Sequence, residues 1–225
     1  MRRRPRVVVA LVVAAAVVLA GVAGWVVLAS PLLVVRAVEV TGTSRLSEPQ
    51  VADAADVPSS TPLARLDTEA IADRVLALPA VRSVVVDLAW PDTVRIAVAE
   101  RQPAAVRRQG GRLHLLDRSG VAFATVRRRP AGLPLVSGVA GARPEALRAA
   151  LDVLESVPAD VRRRLVEVRA VSPEQVTLRL TRGRTVVWGS PERGERKAAV
   201  LSALLSRKAV VYDVSAPDAP TTRRR

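Results

Sequence analysis

The sequence predicts an α+β protein behind a single N-terminal transmembrane helix: a small domain of order β-α-α-β-β, then a mostly antiparallel β domain with helices on one side. Three observations predict it. Residues 7–29 carry no charge, and Arg2, Arg3, Arg4 and Arg6 stand just before them. Beyond that run, alternating apolar segments are interleaved with segments of helical period, and Pro or Gly separates them. The charge balance reverses at Pro103: residues 36–102 hold seven Arg against ten acids, residues 103–225 twenty-four Lys or Arg against eleven.

A hydrocarbon core about 30 Å thick takes roughly 20 helical residues, and residues 7–29 meet that length without a charge. Positively charged flanks stay on the cytoplasmic side, so the arginines set the topology. Residues 1–6 are then a short cytoplasmic tail and everything after Val35 is extracytoplasmic: a single-pass type II protein of the cell membrane. A cleaved secretory signal is shorter, about 7–15 apolar residues, and ends in small side chains; here Trp25, Val26, Val27 and Leu28 occupy that place. Aromatics are 2% and hydrophobic residues 49%, so the cores must be built from Val, Leu and Ala. The chain has no cysteine, which excludes disulfides, thiol nucleophiles and thiolate metal sites.

The first extracytoplasmic unit is expected at 34–102. Residues 34–40 alternate as a strand that Gly42 breaks. Ser47 caps a short helix at 48–55, with Gln50 in capping-box spacing and Pro49 in the first turn. Pro58 and Pro62 enforce a loop. Asp67 caps a second helix whose Ile71, Val75 and Leu78 form a core-facing stripe, and Pro79 stops it. Val84, Val86 and Leu88, then Val94, Ile96 and Val98, alternate as two strands around the turn Trp90-Pro91-Asp92.

Read in order, Val38-Glu39-Val40-Thr41-Gly42, Pro62-Leu63 with Asp67, Leu78-Pro79-Ala80-Val81, Trp90-Pro91-Asp92-Thr93-Val94 and Glu100-Arg101-Gln102-Pro103 resemble the POTRA domain of the FtsQ/DivIB cell-division proteins, in an actinobacterial-like form. The resemblance implies a domain that works by protein–protein docking.

The second unit is expected at 103–215. Residues 104–108 and 113–117 pair around Gly110-Gly111, and a turn at 117–120 leads into a strand at 121–124. Arg127, Arg128, Arg129 and Pro130 form a basic loop. Pro144 opens a helix with Leu147, Leu151 and Leu154 on one face; strands follow at 165–171, 175–180 and 185–188. Ser190-Pro191 starts a last helix with Ala198, Leu201, Leu204 and Leu205 inward, and a terminal strand covers 209–214. Pro217 and Pro220 cannot extend a ladder, so 216–225 is expected as a flexible tail. This sheet is expected to continue that of the first unit. The ending Val210-Val211-Tyr212-Asp213-Val214-Ser215-Ala216-Pro217-Asp218 also looks like FtsQ.

No motif for catalysis, cofactors or metals is present. His114, the single histidine, sits on a strand with no Gly-x-Ser-x-Gly elbow anywhere. Zinc needs several His or Cys ligands, and no glycine-rich phosphate loop or dinucleotide fingerprint occurs. Asp87 with Asp92, and Glu192 with Glu195, are the carboxylate pairs that glycan cleavage would need, yet capping and solvated roles explain both. Extracytoplasmic topology and scarce aromatics oppose nucleic acid as a partner.

The expected function is that of a non-enzymatic, membrane-anchored scaffold of the bacterial division complex at the septum, linking early and late septal proteins. The resemblance implies partners of the FtsB/DivIC and FtsL types and, through them, the septal wall synthases. Docking is expected by β-strand addition at an exposed sheet edge. The candidate edge is Val210, Val211, Tyr212, Asp213 and Val214, with Tyr212 as amphipathic anchor. A basic groove near Arg127–Arg129 or Arg162–Arg164 would meet acidic partner residues. The alternative is a membrane-anchored module that binds anionic cell-wall polymer through its net charge of +13 over 103–225.

Overall fold

The computed structural model of the chain describes residues 4–29, 33–138 and 144–224. The chain divides into two compact units, Met1–Glu100 and Arg101–Arg225.

The first unit opens with helix α1, Arg4–Ala29. Its described side chains at 9–22 are all uncharged and exposed. Among the described residues no helix is long and apolar enough to cross a membrane. Strand β1 (Ala37–Thr41) follows, three residues later than alternation alone suggested, because Val34 bridges to Pro62 instead. Helix α2 (Glu48–Ala55) starts as its capping chemistry dictates: Ser47 Oγ accepts from the Gln50 amide at 3.3 Å and Gln50 Oε1 accepts from the Ser47 amide at 2.9 Å. Helix α3 (Thr68–Leu76) is capped by Asp67, which accepts from the Ala70 amide at 2.9 Å. It ends at Leu76, so Leu78 packs on the core from the loop beyond.

Strands β2 (Val81–Ala89) and β3 (Thr93–Glu100) form an antiparallel pair, and β1 joins β3 in parallel, giving the order β1-β3-β2. Val94, Ile96 and Val98 of β3 are buried against Val51, Ala55, Ile71 and Val75 of the two short helices. Gly42 ends β1 with φ +82, and a Cβ there would fall 2.0 Å from the Val98 carbonyl oxygen. Glycine is required at that contact.

The second unit holds strands β4 (Ala105–Gln109), β5 (Arg112–Leu116), β6 (Ala122–Val126) and β7 (Leu135–Ser137), then helices α4 (Pro144–Ser156) and α5 (Ala159–Arg162). Strands β8 (Leu165–Ala170), β9 (Val176–Leu180) and β10 (Thr185–Gly189), helix α6 (Gly194–Leu204), and strands β11 (Val211–Asp213) and β12 (Thr221–Arg223) complete it. The nine strands run in the order β12-β11-β10-β9-β8-β7-β4-β5-β6. The pairs β4/β7, β7/β8 and β10/β11 are parallel and the rest antiparallel. Helix α4 lies against β8 and β9, and α6 against α4. Leu147, Leu151 and Leu154 of α4 and Leu201 and Leu204 of α6 share a core with Val168, Leu178, Val186, Trp188 and Tyr212.

Two expectations are corrected. The second sheet does not continue the first: the three-stranded and nine-stranded sheets are separate ladders. The segment 216–225 is not simply a loose tail, since its residues 221–223 form β12 and pair with β11. Strand β7, only three residues long, gave no alternation to read.

Candidate functional site

The candidate edge 210–214 is built on β11, whose neighbours lie on both sides. Thr185, Val186 and Val187 of β10 pair with Val211, Tyr212 and Asp213 in parallel, and Arg223, Thr222 and Thr221 of β12 pair with them antiparallel. The expectation that 210–214 is the exposed edge is therefore corrected. Its backbone groups on the outer side already belong to β12, and the free edges of the described sheet are β12 and β6. Tyr212 is fully buried, and its hydroxyl donates to the Arg207 carbonyl oxygen at 2.9 Å. A phenol can enter an apolar core when its hydroxyl finds an acceptor. Val214 is also buried, and its amide donates to the Val187 carbonyl at 2.9 Å. Val211 and Asp213 are half-buried. Asp213 Oδ1 accepts from the Ser215 amide at 3.0 Å and its hydroxyl at 2.7 Å, which turns the chain out of the strand.

The return from β11 to β12 is pinned by residues that the sequence pattern did not single out. Asp218 forms ion pairs with Arg193, just before α6, and with Arg196 Nη2 at 2.6 Å. The Arg193 hydrogen bond and the neighbouring guanidinium charges hold the exposed Asp218 carboxyl below the usual carboxylate range. Nearby, Lys197 is buried and donates to the Ser190 carbonyl oxygen at 2.8 Å. Burial, first of all, lowers its pKa.

The other candidates are scattered. Arg2 and Arg3 lie outside the described residues, while Arg4 and Arg6 fall in the first turns of α1. His114 Nδ1 is 3.2 Å from Thr125 Oγ1 on the adjacent strand. Asp87 stands opposite Arg95 in the β2/β3 ladder, and Asp92 accepts from the Thr93 hydroxyl at 3.1 Å. Glu192 lies just before α6 and Glu195 in its first turn. Among the described residues no group of His, Asp or Glu could hold a metal ion. Of the basic groove, Arg129 Nη1 donates to the Val166 carbonyl at 2.9 Å, and Arg162 Nη2 caps the end of α4 through the Leu154, Glu155 and Val157 carbonyls. Both arginines thus have structural work, which spacing along the chain does not reveal.

A small β-α-α-β-β domain followed by a broad mixed sheet with open edges defines a two-module α+β protein. Comparisons give each module its family. Residues 33–101 match the model described as POTRA domain, FtsQ-type, and residues 104–216 match that of the cell division protein FtsQ/DivIB, C-terminal. Cell division protein FtsQ of Streptomyces bingchenggensis is 41% identical over 207 residues, covering 87% of this chain and 78% of the relative. That of Mycobacteroides abscessus is 40% identical over 214 residues, covering 95% of this chain and 68% of the relative. The chain belongs to the FtsQ/DivIB family of cell-division proteins. The extracytoplasmic domain of DivIB from Geobacillus stearothermophilus aligns at 17% identity with a TM-score of 0.37, over 49% of this chain and 98% of that one.

Proposed function

We propose that the chain is a membrane-anchored, extracytoplasmic docking platform of the division complex, located at the septum and without catalytic activity of its own. Family membership supports the role in division. The anchor is residues 7–29, oriented by Arg2, Arg3, Arg4 and Arg6. Leu11, Val17, Leu19 and Trp25 of α1 are each about two-thirds exposed, an arrangement that water disfavours and lipid accepts.

Docking proceeds by strand addition at the β12 side of the large sheet, and partners of the FtsB/DivIC and FtsL types supply the strand, leading indirectly to the septal wall synthases. One observation carries this reading: among the described residues, no strand neighbours the outer side of β12 at 221–223. Val210, Val211, Tyr212, Asp213 and Val214 enter as the strand that supports that edge. Main-chain bonds give generic affinity and alternate side chains give choice.

The test is capture of an FtsB-like partner by the Thr222→Pro variant. Proline removes a donor at the edge, so capture should fall about tenfold or more while circular dichroism stays unchanged. Unchanged capture by the folded variant sinks the reading. Tyr212→Ala is a poor probe here, because it opens the core and lowers stability whether or not a partner binds.

A further inference from the structure

We infer that a second site, two strands in from the β12 edge, binds a phosphate group in the cavity framed by Arg164, Arg182 and Arg184. The cavity, about 280 Å³, is lined by these three arginines with Leu180 and Thr181. The backbone fixes their placement. The Thr181 amide donates to the Arg164 carbonyl at 2.8 Å, and the Leu180 amide to the Arg184 carbonyl at 2.8 Å. The start of β8 is thereby tied to the first residue of the β9–β10 turn, and the turn is closed across its own ends.

Two independent features mark the place as a site. The first is uncompensated charge. Ion pairs of this unit engage Arg101, Arg118, Arg179, Arg193 and Arg196. Among the described residues no carboxylate pairs with Arg164, Arg182 or Arg184. Three guanidinium groups around one cavity repel one another, and a bound anion turns that repulsion into attraction. The second is conformational. Arg182 has φ 63 and ψ 28, in the left-handed region, and Gly183 follows with φ +68. Turns that need two successive residues of positive φ favour Asn, Asp or Gly at the first. An arginine held there against backbone preference points to use of its guanidinium.

The anion is a phosphate because its oxygens are arranged tetrahedrally and can meet guanidinium forks lying in different planes, where the two oxygens of a carboxylate lie in one plane. The Thr181 hydroxyl adds a neutral donor. An anionic lipid headgroup and the phosphodiester of a soluble polymer present the same chemistry.

The test uses the full chain in phosphatidylcholine nanodiscs, titrated calorimetrically with inorganic phosphate. Arg182→Asn suits the turn and removes the charge; Arg184→Gln removes a second; Arg127→Gln, beyond the end of β6, removes one charge elsewhere. The first two should each weaken binding at least about tenfold, and Arg127→Gln less than about twofold. Two further arms identify the source: sedimentation with phosphatidylglycerol vesicles, and retention of soluble polyglycerol phosphate. Binding to either or both, lost in Arg182→Asn, supports the site. The inference fails if wild type shows no saturable phosphate binding or retains neither carrier. It also fails if Arg127→Gln weakens binding as much as Arg182→Asn, or if polyglutamate binds more tightly than phosphate. Loss of strand docking in Thr222→Pro leaves these readouts untouched, so the two proposals fail separately.

Discussion

Glu100 carries more of the first unit than its place at the end of a strand suggests. Its carboxylate accepts from the amides of Ser44, Arg45 and Leu46 at 2.8, 2.9 and 3.0 Å, and from the Ser44 hydroxyl at 2.8 Å. Burial opposes its ionisation, yet these donors prevail and lower its pKa from 4.5 to about 2. The folded value lies below the unfolded one, so the stabilisation is complete above about pH 4.5 and is lost as the pH falls toward 2. The shift corresponds to at most about 3 kcal/mol. Glu100→Gln should therefore lower stability by about 2–3 kcal/mol at pH 7 in urea unfolding. The gap to wild type should narrow as the pH drops from 4.5 to 3; a constant gap would assign the loss to packing. From sequence, Glu100 read as one part of a family signature. Its partners are more than fifty residues away, which no local periodicity encodes. The local capping residues Ser47, Gln50 and Asp67 were legible because the groups that they satisfy lie within three positions.

Elements followed the same division between local and distant causes. The alternation of Val176, Leu178 and Leu180 gave β9 its buried face, and the Leu147, Leu151 and Leu154 stripe gave α4 its own. Strand β12 was missed because Thr-Thr-Arg after Pro220 has no apolar alternation. It exists as a returning partner of β11, and the return is held by Asp218 bracketed between Arg193 and Arg196. That one missed element displaced the expected edge from 210–214 to 221–223. The bracket is solvent-exposed, so its contribution to global stability is small. Its effect is local. Asp218→Ala should leave the melting temperature within about 2 °C of wild type, while amide exchange at 221–223 accelerates about threefold to tenfold. Protection unchanged at 221–223 would mean that β12 is held by its ladder alone.

At the scale of the whole molecule, residues 36–102 and 103–225 have opposite charge balance, the two units have separate cores, and the proposed anchor changes the physics of every encounter. Strand addition on a three-residue edge offers few main-chain bonds, so modest intrinsic affinity is expected of it. Partners held in the same membrane meet this edge at an effective concentration of roughly millimolar order, which makes a modest affinity sufficient. Under this proposal the anchor acts through confinement, and its own sequence beyond length and flanking charge is interchangeable. A chain from residue 33 onward, exported behind a cleaved signal, should lose midcell enrichment of a fluorescent fusion. Replacing residues 1–32 with an unrelated single-span helix behind a basic tail should restore it to within about twofold of the native chain. Midcell enrichment of the unanchored form would show that the edge binds tightly enough alone. Failure of the replacement helix would instead give α1 its own helix partner within the bilayer.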